Sequence, residues 1–433
     1  MYLCLDLGST SFKAAVYDAS LAVRGGASQR IHTHLRGDGG AELGPDGVAA
    51  AVRRIVADAV SSAGIRHDHL TALSVTSQAQ TCTVLDPTGR PRIPWISWMD
   101  TRSARAADEL AADPTLADFA EHCSFDRPMP GLQISLLRYI AGCGDGIIAP
   151  DDRVVQLPAW LSRRLCGRAW LDRNIAAMSG LYSLQSGTWW PAGLAAAGVT
   201  ATQLPALCDI GTVVGVTTDA AKAFGVPPGV SLVAAGNDQT AGACGAAIHQ
   251  HAAVLVNLGT AQVAYVCTEV LSPPSPGRVR GPYPGGRFYR MAVDNNGGCC
   301  VTRAANAIDG CHSEADVFRL AAAASPGAHG LVFRATGPAG AGEFEGLTAA
   351  HTAADRARAV VESMVERMRG MVEQLGVPPG QRSVLVAGGG SRAAVWIDLL
   401  ANALGVPLRP AEADALLGAA RMARAAVTPS SLD

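Results

Sequence analysis

Apolar residues fall in short runs separated by small polar turns along most of the chain. Tyr2-Leu3-Cys4-Leu5 and Phe12-Lys13-Ala14-Ala15-Val16 flank Asp6-Leu7-Gly8-Ser9-Thr10-Ser11, which predicts two strands joined as a hairpin with a polar tip. Val48, Val52, Ile55, Val56 and Val60 recur at helical spacing after Asp46-Gly47, so the pattern predicts a helix over 46–63. Leu70–Thr76 and Thr81–Leu85 read as strands, closed by an Asp86-Pro87-Thr88-Gly89 turn. Residues 100–230 are rich in helix formers broken by prolines, the pattern of a helical insertion packed on a core sheet. From Ser231 an apolar run leads through Gly236 into Asn237-Asp238-Gln239, read as a second strand-turn-strand. A third such feature, Ala253 to Val266, places Gly259-Thr260 between two apolar runs, so the opening pattern recurs. Ser383–Ala387 reads as a strand, Gly388-Gly389-Gly390-Ser391 as a turn and Ala393–Leu404 as a helix, one βα unit with a glycine-rich joint. Gly327–Gly346, crowded with glycine and alanine, reads as a mobile loop or a plain surface linker.

A length of 433 residues favours two or three domains. With 48% hydrophobic and 17% charged residues, the chain is expected to fold rather than remain disordered. A net charge of −2 argues against nucleic acid as a partner. Lys13 and Lys222 are the only lysines, and neither follows a glycine-rich turn as a P-loop requires, which excludes that class of phosphate binder. The eleven cysteines contain no C-x-x-C pair, so neither a zinc ribbon nor a disulfide framework is indicated. The pairs His32/His34, His67/His69 and His249/His251 lack a third ligand nearby in sequence and read as surface histidines. No basic leader precedes a long apolar stretch and no run approaches eighteen apolar residues; the expected setting is the cytoplasm, with reduced thiols and no membrane partner.

Chemistry concentrates at the turns. Gly8 and Gly259 leave backbone N–H groups unhindered, and Ser9, Thr10 and Thr260 add hydroxyls, a combination suited to phosphate oxygens. Asp6 can hold a magnesium ion, usually through water. Either turn alone is explained by backbone geometry; their joint presence, in order with the later glycine triplet, shifts the balance toward phosphate binding.

The ordered set resembles the FGGY carbohydrate kinase family of the actin, hexokinase and Hsp70 superfamily. Asp6-Leu7-Gly8-Ser9-Thr10-Ser11-Phe12-Lys13 is similar to its first phosphate loop, and Asn257-Leu258-Gly259-Thr260 to its second. Ser77-Gln78 and Ile96-Ser97-Trp98-Met99-Asp100-Thr101-Arg102 resemble the sugar-contacting segment, and Gly236-Asn237-Asp238-Gln239-Thr240-Ala241-Gly242 the catalytic stretch. Gly388-Gly389-Gly390-Ser391, with Trp396 and Asn402, resembles the adenosine segment.

The resemblance implies an α/β fold of two RNase H-like domains around a central cleft, with a helical insertion in the first. Residues 1–240 would form the sugar-binding domain and 241–433 the nucleotide-binding domain. It implies ATP-dependent phosphorylation of a sugar, polyol or cyclitol hydroxyl, with ATP and Mg2+ as cofactors and homodimerisation left open. Asp238 is the expected general base, because a carboxylate can orient a sugar hydroxyl and accept its proton. Asp is also a common helix N-cap, a role compatible with that one. Gln78, Trp98, Asp100, Arg102 and Gln239 are expected at the acceptor, with Arg102 anchoring Asp100. Gly8, Ser9, Thr10, Ser11, Lys13, Gly259, Thr260, Gly389, Gly390, Ser391 and Asn402 are expected at ATP, and Asp6 with Asp238 at the metal. Trp396 is expected to pack in the core rather than stack on adenine.

Some positions depart from the family pattern. Ala79-Gln80 follow Gln78 where xylulose-type members carry Met-His-Gly and glycerol-type members Arg-Glu, which argues against glycerol as acceptor. Gly337-Pro338-Ala339-Gly340-Ala341-Gly342-Glu343-Phe344 replaces a Gly-Glu-Arg-x-Pro segment, and the chain is short for the family. These departures imply a trimmed member with an altered acceptor, such as a cyclitol or an unusual sugar. A sugar- or nucleotide-binding regulator that has lost catalysis is the alternative reading. An ATPase acting on a protein partner, the third, has no use for a polar sugar pocket.

Overall fold

A computed structural model describes residues 1–143, 148–251, 253–337, 340–376 and 383–428. The chain forms two compact units. The first comprises Met1–Gly245 together with Glu269–Phe288 and the segment from Asp414 onward; the second comprises Ala246–Thr268 and Tyr289–Ala413. The boundary expected at 240/241 therefore falls five residues later, and the chain returns twice to the first unit.

In the first unit, β1 (Tyr2–Leu7) and β2 (Ser11–Tyr17) form the expected hairpin in the register Leu7↔Phe12, and β3 (Val23–Arg30) continues it. Helix α1 (Pro45–Ser62) turns Val48, Val52, Ile55, Val56 and Val60 inward, each at most 2% exposed. Burying one such aliphatic side chain contributes roughly 1.5–3 kcal/mol, which is why this stripe fixes the helix on the sheet. β4 (Ala72–Ser77) lies parallel to β1, and β5 (Val213–Val216) with β6 (Ser231–Asn237) completes a six-stranded sheet in the order β5-β6-β4-β1-β2-β3. The helical insertion is present, with helices Ala104–Ala111, Gln133–Gly142, Leu157–Cys166 and Pro191–Ala197. Part of it builds a separate apolar cluster around Leu110, Ile134, Leu137 and Trp190.

One expectation fails beyond β6. Instead of a turn and a second strand, α2 (Asp238–Gly245) starts directly after Asn237. β6 is already paired on both sides, with β5 and with β4, so it has no free edge for a following strand to join as a hairpin.

The second unit repeats the opening pattern. β7 (Ala253–Leu258) and β8 (Gln262–Thr268) form a hairpin in the register Leu258↔Gln262. After it come α3 (Gly298–Ala305), β9 (Val332–Ala335), β10 (Gly342–Glu345) and α4 (Ala353–Gln374). β11 (Ser383–Ala387) runs parallel to β7, α5 (Ala394–Leu404) follows, and β12 (Leu408–Pro410) pairs with β11. The glycine-rich stretch expected to be a loop contains the antiparallel pair β9/β10, with Phe333 opposite Phe344 and their rings 5.3 Å apart. This one cross-strand aromatic pair gives the hairpin an apolar face that glycine content alone concealed. Of the departing segment 337–344, Pro338 and Ala339 lie outside the described residues.

The final helix, α6 (Ala415–Val427), belongs to the first unit. A Cβ at Gly418 would overlap the Ala241 carbonyl, so glycine is what lets α6 lie against α2.

Candidate active site

Strand register assembles the first half of the site. Leu7 pairs with Ser77 across β1 and β4, and Asn237 pairs with Ser77 across β6 and β4. Gly8, Gln78 and Asp238 thus follow three aligned strand ends, though they are up to 230 residues apart in sequence. Ligand sites of α/β sheets characteristically lie at this carboxyl edge.

Asp6 is 7% exposed, and its Oδ1 is buried without a hydrogen-bond partner. Burial, with the nearby Asp238 and Asp414 adding to it, pushes its carboxyl up to about 7 against the opposing charge of Lys13. Water still reaches part of Asp238, but protein surrounds it closely enough that burial pushes its carboxyl up to about 6, opposed by the Gln239 N–H and Lys13. Two neighbouring carboxylates raised in this way form an electrostatic hole that a cation would fill. The unpartnered oxygen of Asp6 is a hard ligand of the kind magnesium takes. Residues present therefore fit that ion.

Asp238 is not the helix cap. Asn237 Oδ1 accepts the Thr240 N–H at 2.9 Å, while Asp238 Oδ1 accepts only the adjacent Gln239 N–H at 2.8 Å. Among the described residues, no protein hydrogen bond ties the hydroxyls of Ser9, Thr10 or Ser11, which stand at or beside the hairpin tip with Gly8. Lys13 occupies the exposed position opposite Asp6.

The residues expected at the acceptor divide into engaged and open ones. Gln78 Nε2 donates to the Gly8 carbonyl at 3.2 Å and its Oε1 accepts from Thr81 at 3.1 Å, so its amide holds the first loop. Asp100 is 1% exposed; Arg102 grips its carboxylate in a fork, with the shortest contact 2.6 Å, and the Ala41 and Arg102 N–H groups take further positions. Arg102 also reaches Glu42 at 2.7 Å. Trp98 stands 43% exposed beyond that clamp, and the side chain of Gln239 is partly open.

Sequence reasoning missed a closed ring of buried glutamines behind Gln78. Gln80 N–H donates to Gln156 Oε1 at 2.9 Å, Gln156 Nε2 to Gln133 Oε1 at 2.9 Å, and the Gln133 N–H to Gln80 Oε1 at 3.1 Å. Gln80 sits at φ 70°, a left-handed conformation uncommon outside glycine, and the ring's hydrogen bonds hold it there. Position 80 stood out in the sequence only as a departure from the family.

In the second unit, Asn257 pairs with Ala387, so Gly259-Thr260 and Gly388–Ser391 also follow aligned strand ends. Gly388 has φ 88°, and a Cβ there would overlap Asn257 Oδ1. The turn is fastened by Ser391 Oγ donating to the Gly388 carbonyl at 2.7 Å. Gly389 has open space where a Cβ would stand, whereas one on Gly390 would overlap Trp396, which is 1% exposed and stacked on Phe318 at 5.8 Å. Trp396 is a packing residue, as expected. Asn402 is not brought to the turn: it lies exposed near the far end of α5, about 12 Å of helical rise from its start. The start of α3 was missed, although Asn295-Asn296-Gly297-Gly298 signals it; the Gly298 N–H donates to the Gly259 carbonyl at 2.9 Å and the Cys299 N–H to the Thr260 carbonyl at 3.2 Å.

Comparison with known proteins places this geometry. Models of the N-terminal and C-terminal domains of the FGGY family of carbohydrate kinases match residues 1–245 and 296–427. The chain belongs to that family. It is 32% identical to a glycerol kinase of Alkalilimnicola ehrlichii over 264 residues, covering 60% of this chain and about half, 52%, of that protein. It is 26% identical to a xylulose kinase of Escherichia coli over 452 residues, covering 99% of this chain and 90% of that one. The fold is similar to that of a xylulose kinase from Rhodospirillum rubrum, with a TM-score of 0.90 at 24% identity, covering 100% of this chain and 90% of that one. The two-domain FGGY fold of actin and hexokinase type is thus established. Among the described residues, no helix is long and apolar enough to cross a membrane.

Proposed function

We propose that this chain transfers the terminal phosphoryl group of ATP to a hydroxyl of a sugar, polyol or cyclitol, with Asp238 as the general base. The observation that carries this reading is the pair Asp6 and Asp238 at one sheet edge, both carboxyls raised by burial, Lys13 nearby and Asp6 Oδ1 left without a partner. Family membership supports the reaction class.

Asp238 orients the acceptor hydroxyl and takes its proton as the oxygen attacks phosphorus, the positioning role that phosphoryl transfer demands. Magnesium, when bound, neutralises phosphate charge, and Asp6 with Asp238 would hold it. Ser9, Thr10 and Ser11 offer donors to phosphate oxygens from the first hairpin, Lys13 adds positive charge, and Gly259, Thr260, Gly389, Gly390 and Ser391 do the corresponding work in the second unit. Asn402 is left out of that set because of its place on α5.

Arg102 fixes Asp100, and the two build the acceptor wall; Trp98 and Gln239 are the side chains open to the substrate. Relatives named glycerol kinase and xylulose kinase mark out polyols and ketoses as the chemical class. Ala79 offers no cation to a small triol, which favours an acceptor other than glycerol. An ADP-release assay over ketoses, pentitols, heptuloses, cyclitols and glycerol tests this reading; turnover with one of the first four, at a kcat/KM well above that for glycerol, is the expected result. No turnover with any acceptor would contradict it and favour a binding regulator of the same fold.

A further inference from the structure

The sheet alone does not hold the residue proposed as base. The pairing between β6 and β4 is broken by an irregularity between Ala234 and Asn237, where Gly236 takes φ 70°, and resumes only at Asn237↔Ser77, the residue before Asp238. Asn237 and Thr240, on either side of Asp238, are fastened instead by a segment about sixty residues earlier. Asn174 Oδ1 accepts the Asn237 N–H at 2.9 Å, and Asn174 Nδ2 donates to Thr240 Oγ1 at 2.9 Å and to the Pro282 carbonyl at 2.7 Å. Asn237 in turn caps α2 through its Oδ1 and donates from Nδ2 to Met178 Sδ at 3.2 Å.

We infer that Asn174, with Met178, is a positioning residue for the base: it sets the exit angle of the chain from β6 and so the aim of the Asp238 carboxylate. Asn174 is fully buried, and both amide hydrogens and its oxygen are engaged, which leaves the side chain one orientation. A Cβ on residue 236 would overlap Ile210 Cδ1 and stand 3.0 Å from Asn174 Oδ1, so the glycine leaves room for both side chains. The same short helix, Arg173–Ala177, is capped by buried Asp172, whose side chain accepts the Ile175 N–H at 3.0 Å. On its other side the Met178 carbonyl accepts from Gln80 Nε2, which ties the brace to the stretch that begins at Gln78. Contacts with Asn237 and Thr240 on one side and with Gln80 on the other make this segment the mechanical link between them. A displacement of about 1 Å in such a constellation can cost about 10²-fold in rate.

This inference rests on the kinase reading and is tested separately from it. Turnover by the wild-type chain is measured first; its absence contradicts the kinase reading. With turnover in hand, Asn174→Ala is expected to lower kcat about 10- to 100-fold with the acceptor KM within about threefold, the signature of a misaimed base rather than lost binding. Should that variant not fold, Thr240→Val and Thr240→Ser decide: the valine removes the hydroxyl at nearly constant shape and lowers kcat several-fold, whereas the serine restores it. Hydrogen exchange over residues 231–245 reads the brace independently of turnover, with faster exchange expected at Asn237 and Thr240 in Asn174→Ala or Thr240→Val. Unchanged kcat in Thr240→Val, a change confined to KM, or equal exchange protection in variant and wild type would overturn the inference while leaving the kinase reading intact.

Discussion

Asp6 and Lys13 stand directly opposite each other across the first hairpin, on the same face of the sheet. The lysine lowers the carboxyls of both Asp6 and Asp238, against the burial that raises them. One of the chain's two lysines therefore tempers the proton affinity that burial gives the proposed catalytic pair. Removing it should let both carboxyls bind protons at higher pH, with Asp414 adding to the rise at Asp6. For Lys13→Met, the acidic limb of kcat/KM is expected to move to higher pH and the KM for MgATP to increase, while Lys13→Arg stays close to wild type. A pH profile that does not move in Lys13→Met would contradict this coupling.

Asp238 destabilises the metal-free fold. Its carboxyl goes from 3.8 to about 6 on folding, so the folded chain binds the proton more tightly than the unfolded chain. Stability from this group is full below pH 4, falls as pH rises from about 4 to about 6, and stays low above that. Asp238→Asn, which cannot ionise, should melt at a higher temperature than wild type at pH 8 in the absence of metal, and the difference should vanish near pH 4. Equal melting points at pH 8, measured by calorimetry, would count against a desolvated carboxylate.

Because Asp6 is protonated up to about pH 7 without metal, magnesium must displace a proton to bind there. Magnesium affinity, measured by calorimetric titration in two buffers of different ionisation enthalpy, is expected to be weaker at pH 6 than at pH 8 and to be accompanied by proton release at the lower pH. Asp6→Asn should lose most of that affinity. Affinity independent of pH would remove Asp6 from the metal site.

Close packing of α6 on α2 depends on Gly418. A Cβ there meets the Ala241 carbonyl, and Ala241 lies on the helix that starts at Asp238. Gly418→Val is expected to destabilise the protein by about 1–3 kcal/mol, the usual cost of overpacking, and to lower kcat as α2 shifts. Full activity and an unchanged denaturation midpoint would show that α6 can yield.

Much of this architecture was legible in the pattern of apolar runs. The hairpin at 2–17, its repeat at 253–268 and the strand at 383–387 each combine local apolar runs with a turn whose residue types mark it. The three-strand edge joining Gly8, Gln78 and Asp238 was not legible, since parallel register is set by packing between distant segments. The same limit hid Asn174, which looks in the sequence like an ordinary residue of a short helix and becomes informative only when its amide is seen on Asn237 and Thr240. Gln78 and Asp100 show a subtler limit. Their residue types suggested substrate contacts but could not reveal the protein partners that burial obliges a polar group to find, Gly8 and Thr81 for one and Arg102 and Ala41 for the other. The place of Asn402 near the far end of α5 was not legible either, because a helical residue's distance from a turn depends on helix length, which its residue type does not reveal.

ADP release from the wild-type chain and from Asp238→Asn, with magnesium-ATP and the acceptor turned over fastest in the ketose, pentitol, heptulose and cyclitol panel, tests the central claim most directly. The account predicts acceptor-dependent turnover by the wild type and a fall in kcat of about 10²- to 10⁴-fold in Asp238→Asn, with acceptor binding retained. Turnover in Asp238→Asn at the wild-type rate would contradict the assignment of Asp238 as the base.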